Sequence, residues 1–334
     1  MRYNLASMDR ENGGIEAINK AVFRRRLLRW FHQHQRKLPW RSERDPYRIL
    51  VSEIMLQQTR VAVVEERYKQ FIAQFPTVQK LARAREQTVL AAWSGLGYYR
   101  RARNLHAAAK EIAANSGFPA TAATLRELPG IGRYTAAAVA SIALGEPAAV
   151  VDGNVKRVLD RVFPAQAKTG EERYWELASA LLDNRNPGDF NQAMMELGAL
   201  VCLPGQPLCN QCPVSSLCAA SGPVARKPRQ ARRRAVLRYA LAWKEDRVLL
   251  QQRPQHSSLM PGMWELPLME KDAIVAGEPL FKLRHSITTT DYTIYVHTAA
   301  LDDSCGGKWI SFRAAKRLPL TGLTRKILER LSDA

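Results

Sequence analysis

Leu128-Pro129-Gly130-Ile131-Gly132-Arg133-Tyr134-Thr135 joins two helical stretches, and the reading of this 334-residue chain starts there. Two glycines in a tight turn let backbone N–H groups approach a phosphate without interference from Cβ. The helix that begins near Tyr134 adds its positive N-terminal end. Gly130 and Gly132 are therefore candidates for a grip on a nucleic-acid backbone that ignores base sequence. A Pro-Gly-x-Gly turn alone also serves many ordinary helix–helix connections, so its weight comes from the residues around it.

About twenty residues on stands Val151-Asp152-Gly153-Asn154-Val155. Asp152 at the mouth of a helix over 154–163 suits an N-cap. The same carboxylate also suits a fixed negative charge beside a developing cation. Upstream, Ser52-Glu53-Ile54-Met55-Leu56-Gln57-Gln58-Thr59 closes a helix predicted over 46–57, with Asp45 as cap and Pro46 at its first position. Glu53 follows Ile49 by four residues and Leu50 by three, so it shares their inward face. A carboxylate stripped of water favours its protonated form, which prepares it as a general acid.

Late in the chain Cys202, Cys209, Cys212 and Cys218 are spaced C-x6-C-x2-C-x5-C. Four thiolates this close grip one metal centre, and tetrathiolate ligation suits structural zinc or a cuboidal iron–sulfur cluster. Clustering of four of the five cysteines is not a disulfide framework and points to a reducing compartment; Cys305 reads as a half-buried core thiol. Lys and Arg number 50 against 31 Asp and Glu, a net +19 that favours a polyanion, nucleic acid first. No secretory signal is visible, because 23–30 is studded with Arg24, Arg25, Arg26 and Arg29. The longest apolar run, 135–151, is broken by Gly145, Glu146 and Pro147, so no membrane span is expected.

Periodicity is helical from about 15 to 220, with further helices predicted over 101–115, 134–144, 171–182 and 189–201. A tail, 1–14, precedes this part. A basic, proline-bearing linker over 221–234 follows it, with Arg226, Lys227, Arg229, Arg232, Arg233 and Arg234. Strands are predicted over 236–241, 248–252 and 292–298, and a short helix over 321–331, giving a smaller α+β domain over 235–334.

The hairpin, the Val-Asp-Gly-Asn-Val aspartate and the cysteine spacing occur in the order found in the endonuclease III superfamily of helix-hairpin-helix glycosylases. More narrowly, Leu38-Pro39-Trp40-Arg41, Ser52–Thr59, Gly95-Leu96-Gly97-Tyr98-Tyr99 and Glu196-Leu197-Gly198-Ala199 resemble the MutY branch of adenine DNA glycosylases, densely over 20–220. Pro261-Gly262-Met263-Trp264-Glu265-Leu266-Pro267 resembles that branch's Nudix-like domain.

The resemblance implies a mainly α helix-hairpin-helix fold with an iron–sulfur loop: a six-helix barrel module at about 41–134, a cluster module from 15–40 plus 135–220, and the α+β Nudix-like domain behind. It implies one [4Fe–4S] cluster on the four cysteines. It implies removal of adenine opposite 8-oxoguanine or guanine from double-stranded DNA by a monomer at the nucleoid of the cytoplasm.

Bifunctional members carry a lysine where this chain has Tyr134, and a phenol forms no imine, so hydrolysis by water is expected. Glu53 is implied as the acid and Asp152 as the stabiliser of an oxocarbenium-like sugar, with Tyr134 and Asn154 positioning them. Trp40, Arg41 and Glu196 are implied in adenine recognition. Gln58 and Tyr98, with Gln57 nearby, are implied as duplex wedges. The family's Phe-Ser-His loop, which reads the oxidised guanine, corresponds to Leu283-Arg284-His285-Ser286, where the aromatic and serine in their usual order are missing. His285 and Ser286 remain as candidates. No Arg-Glu-x-x-Glu-Glu run is present, so no pyrophosphate hydrolysis is expected.

Overall fold

A computed structural model describes residues 19–115, 117–164, 170–220, 232–257, 259–269, 277–287, 289–300 and 306–332. The tail 1–14, most of the basic linker and Cys305 lie outside the described residues. The chain divides into two compact units, Met1–Ala82 with Ala107–Lys227, and Arg83–His106 with Pro228–Ala334.

The first unit is helical. It holds α1 (Lys20–His34), α2 (Pro46–Leu56), α3 (Val61–Gln74) and α4 (Val78–Ala82), then α7 (Ala122–Leu125), α8 (Arg133–Leu144), α9 (Gly153–Val162), α10 (Glu171–Leu181) and α11 (Pro187–Leu200). The second unit holds α5 (Glu86–Ala92), and α6 (Arg100–Ala114) contributes residues to both.

Local chemistry explains the helix starts. Asp45 accepts from Tyr47 N at 2.8 Å with Pro46 at the first helical position, and Asp152 accepts from Val155 N at 2.7 Å to open α9. The hairpin joins α7 to α8. Gly130 has φ +73, a conformation that excludes most side chains, and Ile131 N donates to Leu128 O across the turn. One core of the first unit packs Phe23, Leu27 and Phe31 of α1 against Val155, Leu159, Phe190, Met194 and Leu197. That burial sets α9 and α11 side by side, and so fixes the mouth of α9.

The second unit is built on β1 (Arg233–Leu241), β2 (Trp243–Lys244), β3 (Arg247–Gln252), β4 (Trp264–Glu265), β5 (Phe281–Ile287), β6 (Thr290–Thr298) and β7 (Lys308–Ser311), with α12 (Phe312–Ala315) and α13 (Gly322–Ser332). One sheet has the order β1-β6-β5, β1 parallel and β5 antiparallel to β6. The other has β2-β3-β4 with β7 on β3. Leu323, Ile327 and Leu328 of α13 pack with Tyr239, Leu241, Leu283, Ile294 and Val296 to form its core.

Two corrections follow. Arg233 and Arg234, read as the end of the linker, are the first residues of β1. The stretch 283–286, read as a loop, lies inside β5, with His285 opposite Tyr292 and Ser286 opposite Asp291. Alternation along a strand sends these two side chains to opposite faces. His285 lies on the side of Lys326 in α13; burial pulls its pKa below the usual imidazole value and Lys326 adds to that. Ser286 Oγ donates to Asp291 Oδ1 at 2.6 Å. One ligand on one face of the sheet therefore does not meet both. No helix among the described residues is long and apolar enough to cross a membrane.

Candidate active site

Glu53 sits on the buried α2 and is itself only 5% exposed. Tyr134, in the first turn of α8, donates its hydroxyl to Glu53 Oε2 at 2.8 Å and lies 3.2 Å from Met195 Sδ. Burial raises the Glu53 pKa above the usual carboxylate range. The Tyr134 hydrogen bond and the Arg41 charge oppose this, and the Asp152 charge adds to it. Burial and the charges of Glu53 and Asp152 push Tyr134 well above a phenol's ordinary value, so it stays a neutral donor.

Asp152 is held twice. Val155 N donates to Oδ1 at 2.7 Å, and Asn154 Nδ2 donates to Oδ2 at 2.8 Å. The capping reading and the charged-site reading of Asp152 are thus compatible: the cap fixes the carboxylate whose charge raises the Glu53 pKa. The approach to Asp152 is pinned by buried Asn191, whose Oδ1 accepts from Val150 N and whose Nδ2 donates to Ala148 O.

Arg157 was not singled out from sequence, yet it organises this corner. Its guanidinium donates to Asn154 Oδ1 (2.8 Å), Gly198 O (2.6 Å) and Cys202 O (2.7 Å). Asn154 therefore links Asp152 on one side to Arg157 and the cysteine loop on the other. Gly198 permits this packing. A Cβ there would lie 2.6 Å from Asn154 Cβ and 2.9 Å from Asn154 O. The only sequence signal for Arg157 was its place one turn after Asn154.

Glu196 is 1% exposed, and its oxygens accept from Arg36 N, Nε and one terminal nitrogen as well as from Arg41 at 2.7 Å. These bonds hold Glu196 ionised: its pKa falls below the usual value although burial pushes the other way. Arg36 is the second residue that sequence reasoning missed. Arg41 also donates to Gln192 Oε1 at 2.9 Å, and its Nε is buried with no hydrogen-bond partner among the described residues. Trp40 is buried and meets Tyr68 edge-on, so it forms a packed wall. Gln57 donates to Thr135 Oγ1 at 3.1 Å. Gln58 is exposed with φ +56; in the second unit, Tyr98 is exposed with φ +47. Gly130 and Gly132 are exposed, and nothing lies within 4 Å of the position a Gly132 Cβ would take. Lys156 pairs with Glu171.

The four cysteines line one cavity together with Arg161, Val201, Pro207, Ser215 and Ala220. Arg161 donates to Cys202 Sγ at 3.0 Å, and burial pushes the Cys212 thiol up to about 11. Among the described residues, no three His, Cys, Asp or Glu side chains are set to hold a single metal ion.

Residues 51–181 match the family described as "HhH-GPD superfamily base excision DNA repair protein", and 238–330 match the NUDIX domain. A solved thermostable thymine-DNA glycosylase is 31% identical, with a TM-score of 0.56 over 60% of this chain and 94% of that one. The chain belongs to the HhH-GPD superfamily of base excision DNA repair proteins. Among curated relatives, the adenine DNA glycosylase of Rattus norvegicus is 50% identical over 214 residues, 60% of this chain and 42% of that protein. That of Buchnera aphidicola subsp. Schizaphis graminum is 40% identical over 206 residues, 60% of this chain and 59% of that protein. The chain thus matches less than two thirds of the length of these relatives. The superfamily's helical domain is followed here by the Nudix domain, in the order expected from sequence.

Proposed function

We propose that the protein is a monofunctional adenine DNA glycosylase that hydrolyses the N-glycosidic bond of adenine mispaired with 8-oxoguanine or guanine in double-stranded DNA. The observation that carries this reading is the buried Glu53 carboxyl, bonded by Tyr134 and facing the charge of Asp152. Adenine leaves poorly as an anion. Glu53, whose pKa burial raises, gives its proton to the ring, and the base departs neutral. Asp152, held in place by Val155 N and Asn154, then faces the positive charge that grows on the sugar. Two carboxyls with different roles, one giving a proton and one set beside the sugar, divide the work as in glycoside hydrolysis. Tyr134 cannot form an imine, so water completes the reaction.

The base must first leave the stack, which costs a few kcal/mol. Gln58 and Tyr98 fill the space it vacates. Gly130, Gly132 and the amides of α8 hold a phosphate. Adenine rests by Trp40 and meets the Arg41–Glu196 pair, where the unpartnered Arg41 Nε is a spare donor. His285 or Ser286 serves the partner base from the second unit.

Cys202, Cys209, Cys212 and Cys218 would hold one [4Fe–4S] cluster, the group that an all-thiol set lining one cavity suits. When bound, it cross-links the loop after α11 and takes no part in bond cleavage. The enzyme acts as a monomer at the nucleoid of the cytoplasm. Its domains are the helical glycosylase part, a basic linker and the Nudix-like mismatch-reading part.

Release of free adenine from a duplex carrying adenine opposite 8-oxoguanine tests the reading; none from iron-loaded protein contradicts it. Iron and acid-labile sulfide in equal amounts support the cluster, and one zinc per chain opposes it. Similarity to a thymine-DNA glycosylase favours a second reading, excision of another mismatched base. A thymine–guanine duplex in the same assay separates the two.

A further inference from the structure

Tyr98 is displayed in a costly conformation. It is 48% exposed, and its φ of +47 lies in the left-handed region that side chains avoid. Such a residue persists only where its surroundings over-determine it. Part of that support is local. Trp93 Nε1 donates to Gly97 O at 3.1 Å, and Arg101 donates to Leu96 O at 2.9 Å and to Gly97 O at 3.2 Å. The Arg101 guanidinium also lies over the Trp93 and Tyr98 rings.

The rest of the support comes from the other end of the sequence, within the same compact unit. Tyr99 is buried, and its hydroxyl donates to Leu320 O at 3.1 Å. Arg325 Nε donates to Ser94 Oγ at 2.7 Å, and Arg103 donates to Pro261 O at 2.6 Å. Ser94 and Tyr99 flank the 95–98 turn and stand 3.5 Å apart through their hydroxyls. Both ends of the turn are therefore fastened. The fastening points are themselves rigid. Leu320 bridges Trp264 of β4, Trp264 N donates to Pro319 O, and Thr321 N donates to Trp264 O. Thr321 then opens α13 by accepting from Thr324 N, and Arg325 lies in the first turn of that helix.

We infer that Ser94, Tyr99 and Arg325 are positioning residues for Tyr98: the start of α13 and the residues just before it clamp the strained turn so that Tyr98 is held ready to enter a duplex. The inference rests on the reading of the protein as a DNA glycosylase that inserts Tyr98. It makes the C-terminal part of the chain a determinant of insertion as well as of partner-base recognition. Ordinary packing explains the same contacts without any link to Tyr98, and the two accounts differ in what happens once Tyr98 is gone.

The test is a double-mutant cycle in the full chain, with its metal centre loaded, on a duplex holding adenine opposite 8-oxoguanine and 2-aminopurine beside the mismatch. Ser94→Ala with Tyr99→Phe removes the hydroxyls at both fastening points, and Arg325→Met removes the second clamp from the other side. Arg325→Met is expected to reduce both the 2-aminopurine fluorescence rise and kcat/KM for adenine release by about tenfold, the loss associated with one net hydrogen bond, and the paired Ser94→Ala and Tyr99→Phe change by at least as much. In a Tyr98→Ser background the same changes are expected to add nothing, because they act through Tyr98. A tenfold loss repeated in that background, or an undiminished fluorescence rise in the single-background variants, overturns the inference. Thermal melts show whether a variant is folded, and Arg325→Lys, which keeps a donor, is expected to recover part of the rise. Unmodified protein that releases no adenine contradicts the glycosylase reading instead, and the fluorescence arm still decides the clamp.

Discussion

Tyr134 and Glu53 form a buried donor–acceptor pair, 2.8 Å from hydroxyl to carboxyl oxygen, joining α8 to α2. The bond favours the charged form of Glu53, while burial and Asp152 favour the protonated form. A general acid works only while protonated, so adenine release should fall as pH rises through the raised Glu53 pKa. Tyr134→Phe removes an interaction that stabilises the carboxylate. The alkaline limb of kcat is therefore expected to move to higher pH. A limb that moves down or stays fixed argues against Glu53 as the titrating acid.

The same shift bears on stability. Folded Glu53 holds its proton more tightly than the unfolded chain does. Stability is then fully present below the ordinary glutamate pKa of about 4.3 and is lost as pH rises through the folded value. Glu53→Gln escapes this loss. Its melting temperature is expected to exceed that of the parent at pH 8 by more than at pH 4, by a few degrees, measured by thermal melts at both pH values.

Arg157 binds the cysteine loop and Asn154 at once. Arg157→Met removes its bonds to Asn154 Oδ1, Gly198 O, Cys202 O and Gly153 O and frees Asn154 from one side. A bond from a charged donor is worth about 1.5–3 kcal/mol, or about 10- to 100-fold in rate if its loss misplaces Asp152. Adenine release is expected to drop by that amount together with iron content. Loss of iron with full activity separates the two roles and argues against the link.

Gly198→Ala forces a methyl to within 2.6 Å of Asn154 Cβ and 2.9 Å of its carbonyl oxygen. Overpacking of this kind costs about 1–3 kcal/mol. The first unit should melt several degrees lower, and adenine release should fall because α9 is displaced. An unchanged melting temperature shows that α11 moves away freely.

The net charge of +19 makes phosphate contact the main source of affinity on this account. Neutralising six or more phosphates predicts a loss of about 10³–10⁵ in duplex affinity between 50 and 200 mM salt. A titration that is flat over that range contradicts it.

Much of this was legible in the chain. Helical periodicity gives α2, α8, α9 and α11 within two or three residues, and the caps of α2 and α9, Asp45 and Asp152, are local chemistry. Glu53 was found by its spacing from Ile49 and Leu50. Arg36 and Arg157 were missed because each acts across 41 to 160 residues of sequence, and an arginine on a basic chain carries no local mark. Glu196 carries no local sign of its burial, which Arg36 and Arg41 make tolerable. β5 was missed because its exposed-face residues Lys282, Arg284 and Ser286 outweigh Leu283 when read as a block, and only the pairing with β6 shows the alternation. The clamp on Tyr98 was invisible for the same reason: Tyr99 and Leu320 are 221 positions apart.

The most direct measurement is single-turnover release of adenine from a duplex holding adenine opposite 8-oxoguanine, with the parent protein and Glu53→Gln compared at equal iron loading. The parent is expected to release free adenine without a borohydride-trappable adduct. Glu53→Gln is expected to bind the duplex as tightly and release adenine about 10²–10⁴-fold more slowly, the contribution of a positioned general acid. Near-normal release by Glu53→Gln would contradict the account.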